Sequence, residues 1–408
     1  MGYHLFYRSG IALYHLFIRI AALWSPKAKA WLEGRKTVWP TPPADKKNVW
    51  FHASSLGEFE QGRPVMEAWK KARPNDHIVL SFFSPSGFAI SLQNIPADTI
   101  MYLPEENIVN ARKWIAHWQP VQAIFFKYDF WLTYIREAEK AGVPVAFTSV
   151  LLNPSKFMFQ WYGKWYLKQL RKVSQWICHD KDTADLLHTH EFKGVSIAGD
   201  TRIDRVKERM RETFHDHTVE AFCRNSVSLM MGSSWQHEER MISKIIQEFP
   251  DLKIVIAPHD ISAAHIREIQ EQLPTKTHLW SKGEVPNDCR VLIIDTIGLL
   301  SGIYRYASMA FIGGGFGKSV HNTLEPAAYG LAVAFGPNHQ KFREPSEMID
   351  LGFGHCVNTV DDLQEFIQKY RNSTERENAK KKSELFFNKH AGATEKTIQT
   401  LLELHRKS

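Results

Sequence analysis

The chain has 408 residues, 44% of them hydrophobic and 23% charged, and a formal net charge of +7. That length exceeds one ordinary hydrophobic core and predicts two domains, and the composition excludes an intrinsically disordered chain. The charge is local: residues 1–40 hold a net +5 and the rest only +2. This excludes a nucleic-acid-binding body and predicts that the first segment is drawn to an anionic surface.

Leu5 to Trp24 is apolar but interrupted by Arg8, His15 and Arg19, whereas a spanning helix needs roughly 20 mostly apolar residues. On a helix, His4, Arg8, His15 and Arg19 share one face, and Phe6, Leu13, Phe17, Ile20 and Leu23 or Trp24 the opposite one. That pattern predicts a helix lying in a membrane interface; the alternative is an amphipathic helix packed on its own domain. No charged leader or small-residue cleavage site precedes it, so a secretory leader is not expected. Cys178, Cys223, Cys289 and Cys356 form no C-x-x-C pair, which predicts buried free thiols in a reducing compartment.

From Asn48 strands and helices alternate. Val49–Ala53, Ile78–Phe82, Ile124–Phe126, Pro144–Ser149, Trp176–His179 and Val195–Ala198 read as one set of strands. A charged helix-like run, Arg202–Phe214, reads as a linker. A second set follows at Ser228–Met231, Lys253–Ala257, Val291–Ile294, Ala307–Ile312, Ala332–Phe335 and His355–Val357. Glu375 to His405 reads as helix. The pattern predicts two doubly wound α/β units, Rossmann-like, facing a central cleft where the carboxyl ends of the strands hold ligands. The expected divisions are a membrane-associating segment over 1–40, an acceptor domain over 41–205, a nucleotide-binding domain over 206–385 and a helix over 386–408 that packs back on the first domain.

The first strand runs into His52-Ala53-Ser54-Ser55-Leu56-Gly57-Glu58. Glu58 at a helix start is placed to take a proton from a hydroxyl nucleophile, although Ser55-x-x-Glu58 equally spells a capping box. Ser84-Pro85-Ser86-Gly87 repeats the strand-to-helix turn, its hydroxyls serving either an anionic group or a cap. In the second half, Gly232-Ser233-Ser234-Trp235 ends a strand, and its Ser233 and Ser234 are candidates for holding a phosphate or carboxylate. Ala257-Pro258-His259 ends the next strand at the same edge and places an imidazole toward the cleft, where a lone histidine is otherwise structural. The aromatic-basic run Lys156–Tyr166 suits either helix core or an acyl chain beside a phosphate.

Gly313, Gly314, Gly315 and Gly317 follow an apolar strand and precede a helix expected near His321. Their backbone N–H groups are expected to face an anion. Asn322 and Glu325, three apart, are expected to share a helix face and bind hydroxyls beside it. Phosphate next to a diol describes a nucleotide. The alternative is a glycine-rich turn without a ligand. No D-x-D pair and no third ligand near His188-x-His190 occur, so neither a catalytic metal nor a cofactor is expected.

Taken in order, the His52–Glu58, Ser84–Gly87, Tyr128-Asp129-Phe130-Trp131, Gly199-Asp200-Thr201-Arg202, Gly232–Ser234, Ala257–His259, Asp295-Thr296-Ile297-Gly298, His321-Asn322-Thr323-Leu324-Glu325-Pro326 and Gly336-Pro337-Asn338 segments resemble the Kdo (3-deoxy-D-manno-octulosonic acid) transferases. The resemblance implies a GT-B glycosyltransferase: metal-independent, inverting, and attached by its N-terminal segment to the cytoplasmic face of the inner membrane, lying flat on it or held by a single anchor. It implies CMP-Kdo as donor, a lipid A precursor as acceptor, a lipid surface as partner, and no nucleic acid. It implies Glu58 as general base, His259, the Gly313–Gly317 loop, Asn322 and Glu325 around CMP, and Ser233 and Ser234 near the donor's phosphate or carboxylate. On the acceptor side stand Ser84, Ser86, Lys127 and Asp129. Lys127 occupies a position where many members have glutamate, and is expected to meet an acceptor phosphate. The competing readings are a UDP-sugar transferase or epimerase on the same fold and a non-catalytic nucleotide-binding scaffold at the membrane.

Overall fold

In a computed structural model the structure describes residues 2–85, 88 and 95–406, with side chains from residue 7. It divides into two compact units, Met1–Asp204 with Ala391–Ser408, and Arg205–His390.

The first unit is built on a seven-stranded parallel sheet of β1 (Asn48–Ala53), β2 (His77–Phe82), β3 (Thr99–Tyr102), β4 (Gln122–Phe126), β5 (Val145–Val150), β6 (Gln175–Cys178) and β7 (Val195–Ile197), in the order β3-β2-β1-β4-β5-β6-β7. β1, β2, β4 and β5 are buried at every residue, which is why they read as unbroken apolar runs instead of alternating ones. Trp50, Trp114, Phe125, Phe147 and Trp176 fill one face of the sheet. Phe51, Phe59, Trp69 and Phe126 fill the other, where Ile398 and Leu401 of the last helix join them.

The C-terminal run forms two helices, Ser373–His390 and Ala393–Arg406. Gly392, at φ +89°, breaks the run, and Asp204 accepts from the Gly392 and Thr394 N–H groups at 2.7 Å each. The second helix therefore belongs to the first unit and the longer one to the second. The Arg202–Phe214 run, expected to be a helix-like linker or hinge, is a helix over Thr201–Arg211, and the division between the two units falls within it.

The N-terminal helix, Gly2–Ala21, turns its polar side toward the unit. His15 is buried, and Arg19 donates to both oxygens of Glu105 at 2.7 and 2.6 Å. Tyr7 donates to the buried Glu106 at 2.8 Å. Tyr7 and His15 thus point inward and Arg19 stays exposed at the rim, while Phe17 is 60% exposed, as are Leu23 (74%) and Trp24 (77%) in the turn that follows the helix. A packed amphipathic helix has the opposite orientation. Among the described residues, no helix is long and apolar enough to cross a membrane.

The second unit carries another seven-stranded parallel sheet: β8 (Ser228–Ser234), β9 (Lys253–Pro258), β10 (Thr277–Leu279), β11 (Val291–Ile293), β12 (Met309–Ile312), β13 (Val333–Phe335) and β14 (Gly354–Cys356), in the order β10-β11-β9-β8-β12-β13-β14. Strand order reverses between β1 and β4 in the first sheet and between β8 and β12 in the second. In open parallel sheets the crevice outside such a reversal is where ligands bind.

Candidate active site

At the β1/β4 reversal, β1 delivers Glu58 and β4 delivers Asp129. Glu58 lies in the first turn of the Leu56–Ala72 helix, and its Oε2 accepts the Ser54 N–H at 2.7 Å. Ser55 stands at the N-cap but its side chain caps nothing, so the reciprocal capping box is absent. Glu58 instead sits beside a second carboxyl: Asp129 hydrogen-bonds it. Burial, then the Glu58 charge, pushes Asp129 up to about 8. Burial also raises Glu58, opposed by the Ser54 N–H and by Lys127. Two carboxylates this close cannot both ionise cheaply, so the pair keeps one proton near neutral pH, on Asp129.

The floor beneath the pair explains why that proton comes from nowhere else. His52 Nε2 accepts from Trp131 Nε1–H at 3.0 Å, so its proton is on Nδ1, which donates to Ser81 Oγ at 2.8 Å. Burial holds this imidazole neutral, down to about 3. Asp129 Oδ2 lies 3.9 Å from the acceptor nitrogen and has no hydrogen-bond donor among the described residues. Protonation removes the charge on Asp129 and with it the repulsion between this carboxyl and the lone-pair side of His52. Lys127 stands beside both carboxyls with φ at +62°, in the left-handed region, its N–H held by Thr148 O at 2.8 Å. Ser84 is joined to this corner through its N–H, which donates to Ser54 O at 2.8 Å. Ser86 lies outside the described residues.

At the β8/β12 reversal a cavity of about 740 Å³ is lined by Trp235, His237, Gly314, Phe316, Lys318 and His321, among others. Its wall is an aromatic stack. Trp235 and His321, which line the cavity, lie side by side with planes within 10°, and His259 stacks on both, at 4.5 and 4.7 Å between ring centroids. Trp235 Nε1–H donates to His321 Nε2 at 3.0 Å, and burial followed by the neighbouring His259 lowers the His321 pKa. A flat shelf of this kind suits a planar heterocycle.

The glycine loop is not the open N–H cradle expected from its composition. The Gly313 N–H donates to Gly232 O at 2.9 Å, Gly314 to Glu238 Oε1 at 2.8 Å, and Gly317 to Gly314 O at 3.0 Å. A Cβ on Gly313 would collide with Ser233 O, and Gly314 sits at φ +87°. These two glycines are therefore required by close backbone approach and by a left-handed turn. Gly315 likewise packs on Gly336, whereas Gly317 has room.

Other expected residues are placed differently as well. The helix opens at Leu324 and has five residues, Leu324–Ala328. Asn322 precedes it and accepts the Leu324 N–H at 3.1 Å, so it shares no helix face with Glu325. Glu325 is half-buried and acts electrostatically on the buried Tyr304. Ser234 is buried and its hydroxyl donates to Glu239 at 2.8 Å. Ser233, at φ +53°, marks the β8 irregularity. Gly314 and Gly317 line the cavity. Trp235, His237 and His321 were given no ligand role by the sequence reading; their signal was only that each adjoins a strand's carboxyl end.

Residues 29–205 match the sequence pattern of a family described as 3-deoxy-D-manno-octulosonic-acid transferase (kdotransferase). The 3-deoxy-D-manno-octulosonic acid transferase of Chlamydia pneumoniae is 24% identical over 388 residues, 89% of this chain and 86% of that one. The transferase of Rickettsia prowazekii is also 24% identical, over 72% of this chain and 65% of that one. Solved structures with the same fold include UDP-GlcNAc 2-epimerase from Neisseria meningitidis bound to UDP-GlcNAc, at 15% identity and TM-score 0.62, covering 87% of this chain and 100% of that one. Another is CalG4, the calicheamicin glycosyltransferase, at 11% identity and TM-score 0.54, covering 88% and 98%. The fold is thus that of the GT-B glycosyltransferases and epimerases. Over most of its length the chain is thus similar in sequence to the 3-deoxy-D-manno-octulosonic acid transferases, whose sequence pattern residues 29–205 carry.

Proposed function

We propose that the chain is an inverting, metal-independent glycosyltransferase that moves Kdo from CMP-Kdo to a lipid A precursor in lipopolysaccharide biosynthesis. The observation that carries the reading is the single-proton Glu58–Asp129 pair at the β1/β4 reversal, within the stretch that matches the transferase pattern. A sugar hydroxyl is a weak nucleophile until its proton is removed as the new bond forms. Glu58, ionised while Asp129 holds the shared proton, accepts that proton. The acceptor oxygen then attacks the anomeric carbon, the bond from that carbon to the CMP phosphate oxygen breaks, and configuration inverts. Lys127 lies beside the carboxyls and would meet an acceptor phosphate, with the Ser84 turn at the edge of the same corner.

On the donor side, the cytosine ring would lie on the Trp235–His259–His321 shelf. Lys318 and His237 would face the phosphate. Ser233, Asn322 and Glu325 would reach the sugars, and the glycines set the loop's path. The outward apolar face of the first helix, with Lys27, Lys29 and Lys36 following it, would hold the enzyme on the cytoplasmic face of the inner membrane.

The test is to incubate the full chain with CMP-Kdo and a tetra-acylated lipid A precursor and weigh the product. The expected outcome is a mass increase of one or more Kdo units, with CMP and not UDP or GDP as competitor. No increase, or competition by UDP, sinks the proposal.

A further inference from the structure

The first unit holds a cavity that the reaction above does not use. It lies between the two N-terminal helices and the turn after β2, and has a volume of about 410 Å³. Phe17 and Ala21 of the first helix, Ala28 and Trp31 of the Pro26–Gly34 helix, and Phe83 and Pro85 of the turn line it. The walls are fastened to each other. Arg35 lies 3.5 Å from the Trp31 ring centroid and donates to Trp31 O at 2.9 Å and to Phe83 O at 2.7 Å.

Two observations say what occupies it. First, Phe17 belongs both to the cavity and to the outward apolar face that carries Leu13, Ile20, Leu23 and Trp24. The cavity is thus continuous with the surface assigned to the lipid, and exposed Lys27 lines it as well. Second, its wall is bonded to the acid corner. Ser84 lines the cavity and donates to Ser54 O, and the Ser54 N–H in turn binds Glu58. Along the same wall, Phe83 packs on Trp131 with centroids 4.6 Å apart, and Trp131 donates to His52 beside Asp129. A molecule that fills the space lies against a wall shared with the Glu58 corner and opens at Phe17 onto the exposed apolar face.

We propose that this groove takes one acyl chain of the glycolipid acceptor, drawn out of the leaflet so that the sugar hydroxyl reaches Glu58. The inference rests on the acceptor reading above and deepens it. Burial of the chain against Phe17, Trp31 and Phe83 replaces the bilayer contacts it gives up. The acyl chain thereby becomes part of substrate recognition, the groove's walls being held in place by Arg35.

The experiment uses the full chain and Ala28→Trp, which fills the groove from the second helix, with Ala21→Trp as a second variant filling it from the first. In detergent-free solution, cis-parinaric acid should bind the wild type saturably, with bound-state fluorescence, and this binding should fall at least tenfold in either variant. In the transfer assay, the ratio of kcat/KM for an acylated acceptor to that for its deacylated form should fall at least fivefold. Absence of saturable parinarate binding by the wild type overturns the groove. Lost parinarate binding with an unchanged ratio overturns its assignment to the acceptor. The parinarate arm needs no sugar donor, so it judges the groove even where CMP-Kdo turnover fails and the functional reading falls with it.

Discussion

The two strand-order reversals are the same topological feature put to different physical uses. At β1/β4 the residues are titratable and buried, and the corner's chemistry comes from desolvation: one carboxyl pushed up to about 8 beside another, over a neutral histidine. At β8/β12 the surface is aromatic, with Trp235 at 45% exposure, and the nearby carboxylates Glu238 and Glu239 are already hydrogen-bonded. Desolvation tunes proton affinity, whereas an accessible flat surface binds a ring, so the first corner suits bond making and the second suits holding. A doubly wound sheet supplies the place, and the side chains decide the work.

The sharpest way to break this contrast is Glu58→Gln. The amide keeps the size and can still accept the Ser54 N–H, but takes no proton. Turnover should fall by roughly 10²–10⁴-fold, while CMP affinity measured by calorimetry stays within twofold. Retained turnover would remove proton transfer from the first corner. The converse variant, Trp235→Ala, should weaken CMP binding by roughly 5- to 150-fold, the range for losing an aromatic partner of a base. At saturating donor its kcat should be nearly unchanged; a fall in kcat without weaker binding would make the shelf catalytic instead.

The glycine loop sharpens the comparison at a smaller scale. Gly313→Ala forces a Cβ onto Ser233 O, and should destabilise the second domain by about 1–3 kcal/mol in denaturant melts. Gly317→Ala meets its nearest neighbour, Gly314 O, at 3.5 Å and should cost far less. Equal effects would mean that packing does not set the loop's composition.

How much of this could be read in advance follows from what each residue depends on. The central strands were legible because burial on both sides leaves a continuous apolar signature. The edge strands Thr99–Tyr102 and Thr277–Leu279 were not, being only partly buried and lacking an apolar run. Glu58 and Asp129 were legible separately, but their meeting depends on β1 and β4 being neighbours, a fact about topology that local pattern does not contain. The glycines misled for a related reason. Anion binding and tight backbone contact ask for the same residue, and here Gly313 and Gly314 answer to the second demand. The aromatic shelf joins rings from three separate loops, so no window of sequence displays it.

The smallest predicted effect is also the most specific to the acid pair. Asp129 binds its proton up to about pH 8 when folded, against 3.8 ordinarily. Between those values the folded state holds a proton that the unfolded state has released. The stability linked to it is therefore complete below about pH 4 and is lost as pH rises through 8. His52, held down to about 3, acts in the opposite sense and only below its ordinary 6.5. Between pH 6.5 and 8.5 the Asp129 contribution therefore changes while that of His52 does not. Asp129→Asn keeps a hydrogen-bond donor toward Glu58 but has nothing to titrate. Its melting temperature should stay level across this window while that of the wild type drops by roughly 2–8 °C. An identical drop in both proteins would show that the two carboxyls do not share a proton, and that desolvation is not what separates the β1/β4 corner from its counterpart.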